Sequence, residues 1–247
     1  MSLSYRSSEV PAVLIEPTHR RIRLKVGENT IADTTGAIVI YENGGHPVYY
    51  LPKSDFSPGV LSPKGKGEAS QLLGERYVFG VAGVGEAAAW SFDGTAVGKA
   101  ELADFVTVEW SAVRWFEEDE EIFRHPRNVY KRIDTIASSR LVEVFVDEQL
   151  VARSNRAVFL FETGHIPRYY FPAEDIVAGR LAASELKTYC PYKGTASYFH
   201  FELDGQRHDN IVWYYPEPLD ESIKVAGLIS FYNEKVDEIR VSIEDAS

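Results

Sequence analysis

Residues 29–55, NTIADTTGAIVIYENGGHPVYYLPKSD, lie without a gap on residues 149–175, QLVARSNRAVFLFETGHIPRYYFPAED. The shared residues are Ala32/Ala152, Ala37/Ala157, Glu42/Glu162, Gly44/Gly164, Pro47/Pro167, Tyr49/Tyr169, Tyr50/Tyr170, Pro52/Pro172 and Asp55/Asp175, and most other positions stay within a chemical class. An internal match of this length makes the chain a tandem repeat, and a repeat sets the architecture before any local feature does. Outward from this core, Lys66-Gly67-Glu68-Ala69-Ser70 aligns by residue type with Lys193-Gly194-Thr195-Ala196-Ser197, and Trp90 with Trp213. The predicted layout is a first domain over 12–122, a polar, Pro-containing linker over 123–134, and a second domain over 135–243.

Within each copy the pattern is that of strands. LVEVFVDEQLVARS holds two β-rich runs around the turn pair Asp147-Glu148, and AVFLFE and RYYFP flank Thr163-Gly164-His165. ASYFHFEL and NIVWYYP form a second hairpin around Asp204-Gly205, and LISFYNEKVDEIRVSIE closes the copy with strands on either side of Asn233-Glu234. AEDIVAGRLAASEL predicts a short helical turn, and SAVRWFEEDEEIF, residues 111–123, a helix whose acidic run Glu117 to Glu121 is a solvated face. If strand geometry holds, Tyr169 and Tyr170 point to opposite faces, so one is core and the other can line a pocket.

Composition bounds the function. Hydrophobic residues at 45% and charged residues at 26% are those of a globular protein, and 14 Tyr, 13 Phe and 4 Trp suit half-buried pleated surfaces. A formal net charge of -11 argues against nucleic acid as a partner, because the overall field repels a phosphate backbone. With the single cysteine Cys190 there is no internal disulfide and no Cys-rich structural zinc site, so neither metal nor cofactor is expected. There is no secretory leader and no apolar run near a membrane-spanning length, so the expected setting is the cytoplasm, without membrane contact.

The second copy carries FETGHIPRYYFPAEDI, TYCPYKGTASYF, VWYYPEP and GLISFYNEKVD, and the junction carries FEEDEEIFRHPRNVYKRID. On these motifs the chain resembles the domain of unknown function 427 family over nearly its whole length. The resemblance implies a mainly β fold with few short helices, two tandem copies of a small β-tent-like domain akin to methionine sulfoxide reductase B and zinc-binding chaperone-like folds. It implies no established activity. Zinc-bearing relatives of that fold use paired CxxC knuckles, which one cysteine cannot supply. The first copy departs from the family pattern, with LSPKGKGEASQLL in place of TYCPYKGTASYF, so it is the degenerate one.

The strongest site candidate is therefore the loop TYCPYKGTASY, where Lys193 stands between Tyr192 and Tyr198 and is suited to a carboxylate, a phosphate or cation–π contact; the competing reading is a tight turn whose tyrosines cap the core. Cys190 could be a nucleophile beside Lys193, or a small buried hydrophobe. Glu162 ends an apolar run, where it either anchors a ligand or pairs with Arg168 or Lys193, pairing being the commoner fate of such carboxylates. The complete candidate set is Glu162, Arg168, Tyr170, Cys190, Tyr192, Lys193, Tyr198 and Trp213, for a small anionic or aromatic ligand. The alternatives are a structural or protein-interaction module without catalysis, and thiol chemistry at Cys190. Gly83-Val84-Gly85 mimics a dinucleotide fingerprint but falls in a predicted hairpin. Gly65-Lys66-Gly67 lacks Walker spacing, no Gly-Ser is followed by a paired Asp-x-Asp, and the six His show no HExxH spacing.

Overall fold

In the computed structural model, which describes residues 12–42 and 45–243, the chain forms two compact units that meet in sequence between Asn128 and Val129. Both units are mainly β, built of antiparallel strands with short 3-10 turns. Among the described residues no helix is long and apolar enough to cross a membrane, and no group of three or more His, Cys, Asp and Glu is placed to hold a metal ion.

The repeat in sequence is a repeat in hydrogen bonding. Strand Ile38–Glu42 pairs with Val48–Pro52 through Ile38/Tyr50, Val39/Tyr49 and Ile40/Val48, and Ala157–Glu162 pairs with Arg168–Tyr170 through Val158/Tyr170, Phe159/Tyr169 and Leu160/Arg168. Each copy has a bulge at the same step of its first hairpin, between Leu24 and Lys25 and between Val144 and Phe145. In the first hairpin of the second copy Asp147 and Glu148 both adopt positive φ, as the two central residues of a type I′ turn do, whereas in the equivalent turn of the first copy only Gly27 does. Gly44, matched in sequence to Gly164, lies outside the described residues.

Period-two alternation divides each core. Tyr49 packs with Leu24, Val106 and Trp115, whereas Tyr50 packs with Ile40, Leu73, Phe92 and Leu102. In the second unit Tyr169 lies against the cluster of Val144, Phe159, Phe171 and Phe201, and Tyr170 belongs to a separate cluster with Leu160, Tyr198, Trp213, Tyr215 and Val225. The tyrosine pair thus serves two opposite faces in both copies. The second cluster of each copy carries the groups of chemical interest.

Two sequence expectations need correction. Residues 111–123 are not a helix: a 3-10 turn, Trp110–Ala112, leads into the hairpin of Arg114–Glu117 and Glu120–Ile122, with Glu118 at φ 49° in the turn. The acidic run is a hairpin tip rather than a helix face, held by Arg23 on Asp119 at 2.8 Å and Arg114 on Glu121 at 2.6 Å. The burial of Trp115 and Phe116 on the strand Ile22–Val26 outweighs helix propensity there. By contrast, the short helical turn expected in AEDIVAGRLAASEL is present as Ala173–Asp175, after which the chain enters the long strand Arg180–Cys190.

The second correction concerns Lys66. Trp213 pairs with Tyr198 and Trp90 with Val78, so Tyr198 corresponds to Val78 and, counting back along the strands, Gly194 corresponds to Gly74. These two glycines share φ values of 93° and 95°, and the carbonyls before them, of Lys193 and Leu73, accept from the backbone N–H of Leu219 and Gly94. The residue that answers to Lys193 is therefore the buried Leu73. Lys66 pairs with Tyr77 as Lys187 pairs with Ser197, so it belongs with Lys187 on the preceding strand. The Lys-Gly-x-Ala-Ser likeness is a coincidence of residue types across a hairpin loop of different length.

Candidate functional site

Glu162 is the last residue of Ala157–Glu162 and pairs across the sheet with Ile133, the first of Ile133–Ser138. That register carries Lys131, just ahead of Ile133, to the same sheet edge, where the backbone N–H of Thr163 donates to Arg132 at 3.0 Å. Lys193 reaches the edge from the turn between Arg180–Cys190 and Gly194–Leu203. The carboxylate of Glu162, 8% exposed, receives Lys193 on Oε2 and Lys131 on Oε1, the latter at 2.6 Å.

His165, on the turn after Glu162, places Nε2 at 3.0 Å from the Lys131 Nζ and 3.5 Å from Glu162 Oε1. An ammonium has no lone pair, so Lys131 donates and the imidazole accepts at Nε2. Burial and the nearby Lys131, Lys193 and Arg168 push the His165 pKa down against the pull of Glu162, which keeps the ring neutral at pH 7. Burial opposes ionisation of Glu162, but the hydrogen bonds from Lys131 and Lys193 outweigh it and hold the carboxyl below its ordinary range. With one carboxylate between two ammonium groups, the cluster carries a net single positive charge among the described residues.

A group of buried aromatics lies within electrostatic reach of this cluster. Trp213 donates from Nε1 to the Tyr170 hydroxyl at 2.9 Å, and Tyr198 meets Thr188 at 2.8 Å and Tyr232 at 3.3 Å. Burial raises the Tyr170 and Tyr215 pKa values, and both phenols feel Glu162 and the half-buried Cys190. Tyr170→Phe is expected to leave the buried indole N–H without an acceptor and to destabilise the second unit by about 1–2 kcal/mol, measured by urea unfolding against wild type.

The structure thus draws Glu162, Lys193, Tyr170, Tyr198, Trp213 and Cys190 into one neighbourhood. Tyr192 joins it through a different cation than expected: the ammonium over its ring, at 5.1 Å from the centroid, belongs to Lys131. Nor does Arg168 pair with Glu162. It lies over Trp213 at 5.6 Å and forks onto Glu234 at 2.6 and 2.7 Å, with Asn233 at 2.9 Å. Lys131 was missed because it stood in the presumed linker, although it sits inside the junction motif; His165, Tyr215 and Tyr232 were missed because nothing in their spacing marks them. A cleft of about 580 Å³ lined by Gln149, Arg180, Glu202, Asp204 and Arg207 lies elsewhere in this unit and includes none of the candidate residues.

The first unit keeps the aromatic pair and changes the charges. Trp90 and Tyr50 are the counterparts of Trp213 and Tyr170, and Trp90 counteracts the rise that burial imposes on the Tyr50 pKa. Leu73 stands where Lys193 would be, and Lys66, 64% exposed, pairs with Glu75 at 3.0 Å instead of with Glu42. Beside each Trp the sheet places a buried hydroxyl with no partner, Thr107 opposite Trp90 and Ser230 opposite Trp213.

Residues 14–119 and 134–242 each match the family model described as Domain of unknown function (DUF427), and the chain belongs to that family as a two-copy member. No curated protein matches it.

Proposed function

We propose that the protein is a small-ligand-binding module whose second unit takes an anion, a carboxylate or phosphate carried on a compact, partly aromatic molecule, at the Lys131–Glu162–Lys193 cluster. The observation that carries this reading is the shared carboxylate: Glu162 fixes both ammonium groups and leaves a net positive charge beside Tyr192 and the Tyr170/Trp213 pair. Preordered cations against apolar walls bind an anion far better than an isolated surface lysine, whose ion pairs contribute about 0–1 kcal/mol. No reaction is assigned. The neutral His165 beside Lys131 is the group best placed to exchange a proton with a bound acid. The single thiol fits a reducing compartment, hence the cytoplasm, and the net charge of -11 disfavours nucleic acid.

The test is a thermal-shift screen of small carboxylates and phosphate esters, followed by calorimetry on Lys193→Ala and Lys131→Ala. Each substitution should weaken binding of any hit by roughly tenfold or more, the loss of one charge-assisted contact. Lys66→Ala should leave binding unchanged, since that side chain is exposed and paired with Glu75.

A second reading is favoured by the low exposure of the pair, 12% for Lys193 and 8% for Glu162. On it the cluster is a structural pin that ties the turn to the sheet edge, and the protein is an interaction module without catalysis. Loss of stability in Lys193→Ala with no ligand found in the screen would favour the pin. Thiol chemistry at Cys190 is the lesser reading, and unchanged binding in Cys190→Ser would exclude the thiol from ligand contact.

A further inference from the structure

We propose that the first unit has its own oxyanion site, centred on Arg76. Counted by strand register, Arg76 occupies the position that Ala196 has in the second unit, while Val48 occupies that of Arg168. The cation over the tryptophan is thus supplied from a different strand in each copy. Arg168 pairs with Glu234, whereas Arg76 pairs with no carboxylate among the described residues. Its guanidinium lies 4.6 Å from the centroid of Trp90, and among the described residues it meets no carboxylate and no hydrogen-bond acceptor. Its Nε is fully buried without a partner.

A half-buried guanidinium is normally forked onto a carboxylate or phosphate, because desolvation makes an unpaired cation expensive and the ring face offsets only part of that cost. The stem of Arg76 is also provided for. A Cβ on Gly67 would stand 3.3 Å from Arg76 Cδ and 2.9 Å from Val78, so the glycine leaves the lane in which the arginine lies over the sheet. Tyr50 feels the Arg76 charge and lies by Trp90, and the unpartnered Thr107 hydroxyl is on the strand next to Trp90. The matching ligand is an oxyanion that takes the planar fork, a carboxylate or a phosphate, with an apolar remainder against Trp90.

The test follows the arginine Nε–H resonances of the full-length chain by NMR during titration with inorganic phosphate and, in a second arm, acetate, each matched in ionic strength with sodium chloride. The Arg76 peak is assigned by its loss in Arg76→Gln or Arg76→Lys. A saturable shift of this peak with phosphate or acetate, absent with chloride, is the expected result, and the stronger arm names the group. The shift should persist in Lys193→Ala, which separates this site from that of the second unit. Gly67→Ala, which crowds the Arg76 stem at a backbone conformation alanine can adopt, should raise the dissociation constant roughly tenfold or more by disturbing the bidentate fork. No saturable shift in either arm, an equal response to chloride, or undiminished affinity in Gly67→Ala would overturn the proposal.

Discussion

Glu162→Ala is expected to destabilise the second unit by about 3–4 kcal/mol, the cost of breaking a buried ion pair from one side only. The substitution leaves Lys193 and Lys131 facing each other with no counter-ion, shielded from water to 12% and 22% exposure. Adding Lys193→Met should recover part of the loss, because one of the two ammonium groups left without a counter-ion is replaced by an uncharged side chain of similar length. The effect has a pH signature. The folded-state pKa of Glu162 lies below its unfolded value, so its stabilisation is complete above an unfolded glutamate pKa of about 4.3 and is lost as pH falls through the folded value. The gap between wild type and variant should therefore be constant from about pH 5 upward and shrink in more acidic solution. Urea unfolding from pH 3 to pH 8, followed by hydrogen exchange in the strand Ala157–Glu162, measures both features. A gap independent of pH would mean that the carboxylate contributes packing rather than charge.

Trp213→Ala should cost about 3–5 kcal/mol, a large-to-small change in a core. Trp213 is 6% exposed, meets Tyr170 edge-on at 6.1 Å between ring centroids and Tyr232 at 4.3 Å, and its indole N–H satisfies the Tyr170 hydroxyl. Removing the ring also deprives Arg168 of its platform. The loss should appear as lowered amide protection across Gly194–Leu203 and Gln206–Tyr214, while strands of the first unit keep theirs. Trp213→Phe should cost less, since most of the apolar area stays and only the indole donor goes. Equal losses from the two variants would locate the contribution of Trp213 in its hydrogen bond rather than its volume.

The fold was legible in the repeat because turn chemistry and alternation reinforced each other. Asp147-Glu148, Asp204-Gly205 and the tyrosine pairs placed strands and faces without help from tertiary structure. The helix expected over 111–123 shows where this fails. A run of Glu with Trp and Phe satisfies a helical period as easily as a hairpin, and only the strand Ile22–Val26, distant in sequence, decides between them. The site was legible in its aromatic half and misread in its charged half. Glu162, Tyr170 and Trp213 announce themselves by recurring, whereas Lys131 is near Glu162 only through the Ile133/Glu162 register. Lys66 misled for the complementary reason, since matching letters carry no information about which side of a bulged, length-changed loop a residue occupies.

The two arginines over the two tryptophans make the copies poor spare parts for each other. Transplanting Arg168 to the place of Val48 would set a second guanidinium against the one Trp90 already holds, and transplanting Arg76 to the place of Ala196 would do the same at Trp213. A chimera assembled from halves of both copies inherits either two arginines or none at its tryptophan, depending on where the splice falls. Exchange of sequence between the copies, by recombination or by design, is workable only when the tyrosine strand and the hairpin that carries the tryptophan travel together.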